Sequence, residues 1–179
     1  MGGRKQAMDE EFQGFMTSRW PRLMRTAYLL TGEQYAAEDL VQSSMEKVYA
    51  AWRRVRQADD PDAYVRRVVT NTHARRFRRR LREDLAPPGG DGSPLGELAH
   101  RPDRGDRMAQ ADDRAALLRG LAELPLRQRQ AVVLRYWEDL SETQTAEAMG
   151  CSVGAVKSNA AKGIAKLRAI PALAAVVDR

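Results

Sequence analysis

The stretch Leu140–Arg168, LSETQTAEAMGCSVGAVKSNAAKGIAKLR, decides the fold, because it spells two short helices meeting at a glycine turn, the second of them basic. Ser141 in the cap position and Gln144 at the third helical position form a Ser-x-x-Gln capping box, which closes two orphan backbone donors. Ala146 and Met149 supply the inward side of that helix. Gly150 stands where the chain must take a positive φ, and Ser152 can cap the helix that follows. There Val153, Val156, Ala160, Ile164 and Leu167 recur at helical spacing and make one buried stripe. The opposite face carries Ala155, Lys157, Ser158, Asn159 and Lys162, short or polar side chains able to approach base edges and phosphates in a major groove. The pattern is that of a helix-turn-helix. A plain amphipathic hairpin with a solvated lysine face would also satisfy it, so the rest of the chain must weigh in.

With 179 residues, 43% hydrophobic and 30% charged, the chain has room for one ordinary domain or two small ones, and its balance suits helices. The N-terminus MGGRKQAMDEEF lacks the apolar core of a secretory signal and no long apolar run follows, so the expected location is the cytoplasm, without membrane insertion. The single cysteine, Cys151, excludes an internal disulfide, and two distant histidines leave no metal-ligand cluster. A small buried thiol in the turn is the simpler role for Cys151; a redox sensor is the other. A P-loop, a metal cluster and a carboxylate-histidine constellation are all missing, so no catalytic residue, cofactor or small-molecule substrate is expected.

Net charge +6 and a pI near 9.8 suggest a polyanionic partner, and the distribution says more than the sum. From Ala51 to Arg82 there are eleven arginines, no lysine and three aspartates; from Glu83 to Asp113 eight acids face three arginines. Proline and glycine crowd LAPPGGDGSPLGELAHRPDRGD, where no helical or strand period survives. An all-α protein of two small helical bundles follows, residues 1–83 and 106–179, joined by an acidic linker over 84–105.

Three helical segments read in the first bundle. The first buries Phe12, Phe15, Met16, Leu23, Met24, Ala27 and Leu30, with a break or kink expected at Trp20-Pro21. The second buries Ala37, Leu40, Val41, Met45, Val48 and Trp52, leaving Glu38, Asp39, Gln42 and Glu46 outside as a solvated face or a docking stripe. The third starts at the Asp60 cap and Pro61, turns Tyr64, Val65, Val68, Val69 and Thr72 inward, and presents Arg67, Asn71, Arg75, Arg78 and Arg82 as a cationic stripe, with Arg66, Thr70 and His73 beside it. Arginine forks suit phosphates and bases. Trp52, Tyr64, His73 and Phe77 are rings that either pack in the core or stack on unpaired bases. In the second bundle, helices are expected at Asp106–Leu124 and Arg127–Trp137 before the helix-turn-helix. The apolar tail AIPALAAVVDR either packs back or docks a partner.

On these residues the chain resembles the extracytoplasmic-function group of bacterial RNA polymerase sigma factors. AYLLTGEQYAAEDLVQSSMEKVYAAW is similar to the segment that docks on polymerase, DPDAYVRRVVTNTHARRFRRR to the helix that opens and reads the minus-ten element, and LAELPLRQRQAVVLRYWEDL with the helix-turn-helix to the region that reads the minus-thirty-five element. Within the group, TAYLLTG, DDPDAYVRRV, VLRYWEDLS and GCSVGAVKS resemble the sigma-E-like actinobacterial subfamily.

The resemblance implies three sets of residues. Glu38, Asp39, Leu40, Val41, Gln42 and Glu46 would bind core polymerase. Arg53, Arg54, Arg56, Tyr64, Arg66, Arg67, Thr70, Asn71, Arg75 and Arg78 would hold the melted non-template strand. Ser152, Ala155, Lys157, Ser158, Asn159 and Lys162 would read duplex promoter DNA. It also implies an anti-sigma factor as partner, and a linker that threads the polymerase channel. The competing class is a stand-alone helix-turn-helix regulator working without polymerase; it would need a dimer seam, and no heptad pattern offers one.

Overall fold

The computed structural model describes residues 2–84, 107–171 and 173, and every regular element among them is helical. The N-terminal module comprises α1 (Gly2–Thr31), α2 (Gln34–Ala50), the single turn α3 (Trp52–Val55) and α4 (Pro61–Asp84). The C-terminal module comprises α5 (Arg107–Glu123), α6 (Leu126–Val132) prolonged by a π-helical turn over Val133–Trp137, α7 (Glu142–Met149) and α8 (Val153–Arg168). The linker expected after α4 lies, apart from Asp84, outside the described residues, as do residues 174–179 of the tail.

Local chemistry sets the helix ends. Gly32, at φ +78°, reverses the chain between α1 and α2 while its N–H donates to the Tyr28 carbonyl at 2.7 Å. The hairpin this creates is locked by rings: Phe12 lies 5.0 Å from Tyr49 and 5.2 Å from Trp52, and Phe15 lies 4.8 Å from Trp52. Asp60 caps α4 by accepting from the Ala63 N–H at 2.9 Å, ahead of Pro61 at the first helical position. Two expectations change. α1 runs unbroken through Pro21; Thr17, whose carbonyl loses its helical donor there, is exposed, so solvent takes the place of the missing bond. α2 stops at Ala50 instead of reaching Trp52, because Ala51 leaves helical geometry and α3 restarts as one turn.

The two modules do not stand apart. One apolar cluster contains Leu30, Leu40, Val41, Val48, Val65 and Val69 of the first together with Leu121, Leu124, Val132, Val133 and Leu167 of the second. Each such side chain, fully buried, contributes about 1.5–3 kcal/mol, so a shared core holds the modules together. A smaller cluster of Ala131, Leu134, Leu140, Ala146, Met149, Val156 and Ala160 packs the helix-turn-helix onto α6 and its π turn. Ile170 and Leu173 pack over Gly120, where a Cβ would come within 2.9 Å of Ile170 Cδ1, so the start of the tail folds back on α5.

Polar contacts close the seam. Arg129 donates to the Leu30 carbonyl at 2.9 Å, and Gln130 Nε2 donates to the Thr70 carbonyl at 3.0 Å while lying 3.3 Å from His73 Nδ1. The π turn, with Glu138 N–H reaching back to the Val133 carbonyl at 3.0 Å, aims the Glu138 carboxylate into α1 and leaves Tyr136 and Trp137 exposed.

Candidate nucleic-acid interface and docking face

α8 is built as its residues dictate. The Ser141–Gln144 capping box is complete, with Gln144 N–H to Ser141 Oγ at 3.1 Å and Ser141 N–H to Gln144 Oε1 at 2.9 Å. Gly150 sits at φ 61°, ψ 46°, and Ser152 Oγ accepts from the Ala155 N–H at 3.2 Å. Val156, Ala160 and Leu167 are buried, which forces Lys157, Ser158 and Lys162 outward. Ala155 and Asn159 are half-buried; the Asn159 amide donates to the Ala155 carbonyl at 2.8 Å, so it must release that bond to contact a base. Ser152 already spends its hydroxyl on the cap, and Lys157 lies 3.3 Å from Glu142, whereas Lys162 has no ion-pair partner among the described residues.

On α4 the structure separates arginines that the sequence presents as one run. Arg67, Asn71, Arg75 and Arg78 are exposed on one outer file. Arg53 and Arg54 of α3, with Arg56 just beyond it, are exposed nearby; Arg54 lies 5.8 Å over the Tyr64 ring, and Arg56 pairs with Glu11 at 2.7 Å. Arg66 pairs with Asp60 at 3.0 Å, which keeps it at the mouth of the α3–α4 loop. A second file, Arg76 and Arg80, continues the inward stripe of Val65, Val69 and Thr72 and faces the seam.

Four expected positions are corrected. Thr70 is 2% exposed and its hydroxyl donates to the Arg66 carbonyl at 2.8 Å, so in this arrangement it cannot reach DNA. His73 is buried against Gln130, so its ring packs and does not edge the stripe; Trp52 is buried against Phe12 and Phe15, as its place among the inward residues of the first bundle anticipates. Leu40 and Val41 are fully buried in the shared core; they hold α2 in place and offer no side chain to a partner. The outer face of α2 remains Glu38, Asp39, Gln42 and Glu46, all exposed. Asp39 is committed to Arg76, whose hydrogen bond holds the Asp39 carboxyl below its ordinary range. What sequence reasoning missed is the seam itself: Arg22, Thr26, Arg129, Gln130 and Glu138. A faint signal existed in Arg129-Gln130, polar residues standing where α6 turns inward beside Ala131 and Val132.

Helices throughout the described residues, with a capped helix-turn-helix in one module and an arginine-rich helix in the other, are the architecture of a transcription factor. Comparison with known families makes this specific. Residues 16–83 match Sigma-70 region 2 and residues 114–167 match Sigma-70, region 4. The RNA polymerase sigma-E factor of Streptomyces coelicolor is 35% identical over 158 residues, covering 88% of this chain and 84% of that one. The ECF RNA polymerase sigma factor SigE of Mycolicibacterium smegmatis is 32% identical over 149 residues, covering 82% of this chain and 56% of that one. Among solved structures, the sigma factor RpoE of Bartonella quintana, crystallised with the anti-sigma factor NepR, has a TM-score of 0.73 at 24% identity, covering 95% of this chain and 99% of that one. The chain belongs to the extracytoplasmic-function sigma factors of RNA polymerase. It is therefore a transcription initiation factor, and its fold is the pair of sigma region 2 and region 4 bundles.

Proposed function

We propose that the surfaces divide the work of initiation as follows. Glu38, Gln42 and Glu46 on α2 dock on core polymerase. The outer file Arg67, Asn71, Arg75 and Arg78, with Arg53, Arg54, Arg56, Arg66 and Tyr64 at the α3–α4 loop, holds the melted non-template strand at the minus-ten element. Lys157, Ser158, Asn159 and Lys162 contact the minus-thirty-five duplex, with Ser152 and Ala155 framing the start of the helix. The observation that carries this reading is the coexistence of two exposed cationic surfaces on separate helices, α4 and α8, in one chain. An anti-sigma factor is the expected regulator, since the Bartonella relative was crystallised with one.

Geometry adds a requirement. The two promoter elements lie about 25 base pairs apart, roughly 85 Å at 3.4 Å per pair. A compact chain of this length has a radius of gyration of about 16 Å, hence a diameter of about 40 Å. The packed arrangement cannot touch both elements, so the seam between the modules opens when the protein works on a promoter.

The test combines two variants. Gln42→Arg with Glu46→Arg leaves the fold unchanged, since both side chains are exposed, and abolishes co-purification with core polymerase. Arg67→Ala with Asn71→Ala preserves polymerase binding but lowers permanganate reactivity of unpaired thymines on a cognate promoter, because these contacts form only after melting. Holoenzyme assembly by the first variant, or normal reactivity in the second, rejects the assignment.

A further inference from the structure

The second arginine file lines a cleft that none of the promoter or polymerase surfaces uses. It occupies about 440 Å³ between the C-terminal half of α4 and the seam, and Arg76, Arg79, Arg80, Arg129, His73 and Phe77 lie around it. That volume is within the range of small-molecule sites, about 300–1,000 Å³. Among the described residues Asp39 is the only carboxylate on its wall, and it is already bound to Arg76.

Arg129 is the unusual member. It is 7% exposed, donates to the carbonyls of Leu30 and Leu124 at 2.9 and 3.3 Å and to that of Ala122, and meets no carboxylate among the described residues. Its Nε has no hydrogen-bond partner. A buried cation without a counter-ion is unfavourable, and protein interiors ordinarily pair or neutralise it. Desolvation lowers the Arg129 pKa from its ordinary value, yet a guanidinium keeps its charge at neutral pH. Arg80 adds a second charge, and the carboxylate near it, Asp39, is the one Arg76 already holds. The low-dielectric walls focus this positive potential on the cleft.

Half-buried Phe77 and exposed Leu81, on the same helix as Arg76 and Arg80, give the cleft an apolar edge. Guanidinium forks select phosphate oxygens, and an aromatic face selects a planar ring. We propose that this cleft binds a free nucleoside polyphosphate, its phosphates held by Arg76, Arg80 and Arg129 and its base lying against Phe77. Arg129 belongs to the C-terminal module and the other contacts to the N-terminal one, so the ligand bridges the seam and favours the packed arrangement by mass action. The inference rests on that packing and not on the promoter assignments, and it concerns a bound regulator, with no bond made or broken.

The experiment titrates GTP, ATP and inorganic pyrophosphate into the full chain at physiological salt by calorimetry, with melting temperature followed in parallel. Saturable binding with a raised melting temperature is expected for the nucleotides. Arg80→Ala is expected to weaken it about tenfold, as loss of one charge-assisted contact does, while Arg78→Ala, an equal loss of charge on the outer file, leaves it unchanged. Phe77→Leu weakens nucleotide binding but not pyrophosphate binding. The wild-type titration decides even if a variant fails to fold: absence of saturation overturns the proposal. Equal losses from Arg78→Ala and Arg80→Ala overturn it too, as a general polyelectrolyte effect. So does displacement of nucleotide by short duplex DNA whose own binding depends on Arg80, since the phosphates recognised would then be those of nucleic acid.

Discussion

Glu138 lies against Arg22 across the seam, Oε2 to the guanidinium at 2.7 Å, and its carboxylate side chain is 5% exposed. Thr26 donates its hydroxyl to the other oxygen, and Arg22 also donates to the Glu138 carbonyl at 3.2 Å. These contacts join residues more than a hundred positions apart, and the π turn over Val133–Trp137 is what points the carboxylate inward. Arg22 is 57% exposed and regains water when its partner is lost, and the Thr26 hydroxyl keeps the Arg22 carbonyl at 3.1 Å as acceptor, so the loss falls mainly on the vacated space.

Glu138→Ala should accordingly lower unfolding free energy by about 0.5–3 kcal/mol, the range for losing a buried contact and leaving space behind. It should also loosen the seam. Small-angle scattering would record a larger radius of gyration than wild type; an unchanged radius together with unchanged stability would show that the contact does not hold the modules together.

A pH dependence follows from His73. Burial above all, then the nearby Arg129, pushes its imidazole down to about 4 from an ordinary 6.5, against a hydrogen bond to the Leu30 backbone that works upward. The folded state therefore holds the ring neutral while the unfolded chain protonates it. That contribution is present in full above pH 6.5 and is lost as pH falls toward about 4, amounting to about 3 kcal/mol across the window. Urea unfolding of the wild type and His73→Leu at a series of pH values should show the steeper dependence only in the wild type. Parallel curves would mean that the ring is solvated.

Gly163 faces α6 at close range. A Cβ there would sit 2.6 Å from Val132 Cγ2 and 3.3 Å from the Gln128 carbonyl oxygen. Gly163→Ala should destabilise by about 1–3 kcal/mol despite alanine's better helix propensity, because overpacking outweighs it. Gly14→Ala, also in a helix but with nothing within 4 Å, should instead stabilise by about 0.5–1 kcal/mol. Denaturant midpoints of the two variants should move in opposite directions.

For the recognition helix, Lys162→Ala should weaken binding to every duplex and reduce the slope of log affinity against log salt by about 0.9, one phosphate contact. Lys157→Ala should do less, since Glu142 already partly neutralises it in the free protein. Asn159→Ala should shift base preference. Fluorescence anisotropy with a set of duplexes at several salt concentrations separates the three outcomes.

The sequence by itself determined what neighbours along the chain decide. Ser141 with Gln144, Gly150, Ser152 and Asp60-Pro61 each act through partners a few residues away, so the capping box, the left-handed turn and both helix starts were legible as motifs. The inward stripes of α2 and α8 were legible for the same reason, since helical periodicity alone places Leu40 or Val156. Tertiary structure decided which of the polar and cationic side chains meet solvent. Thr70 and His73 read as edges of a DNA-facing stripe until α6, far along the chain, lays Gln130 over them. Arg76 and Arg80 read as part of one basic run until the seam gives them a side of their own. Pro21 reads as a break, yet α1 continues because the bond it removes faces water. For Thr70, His73 and Arg76 the deciding contact closes a loop of tens of residues, and no local spacing encodes which surface will be on its far side.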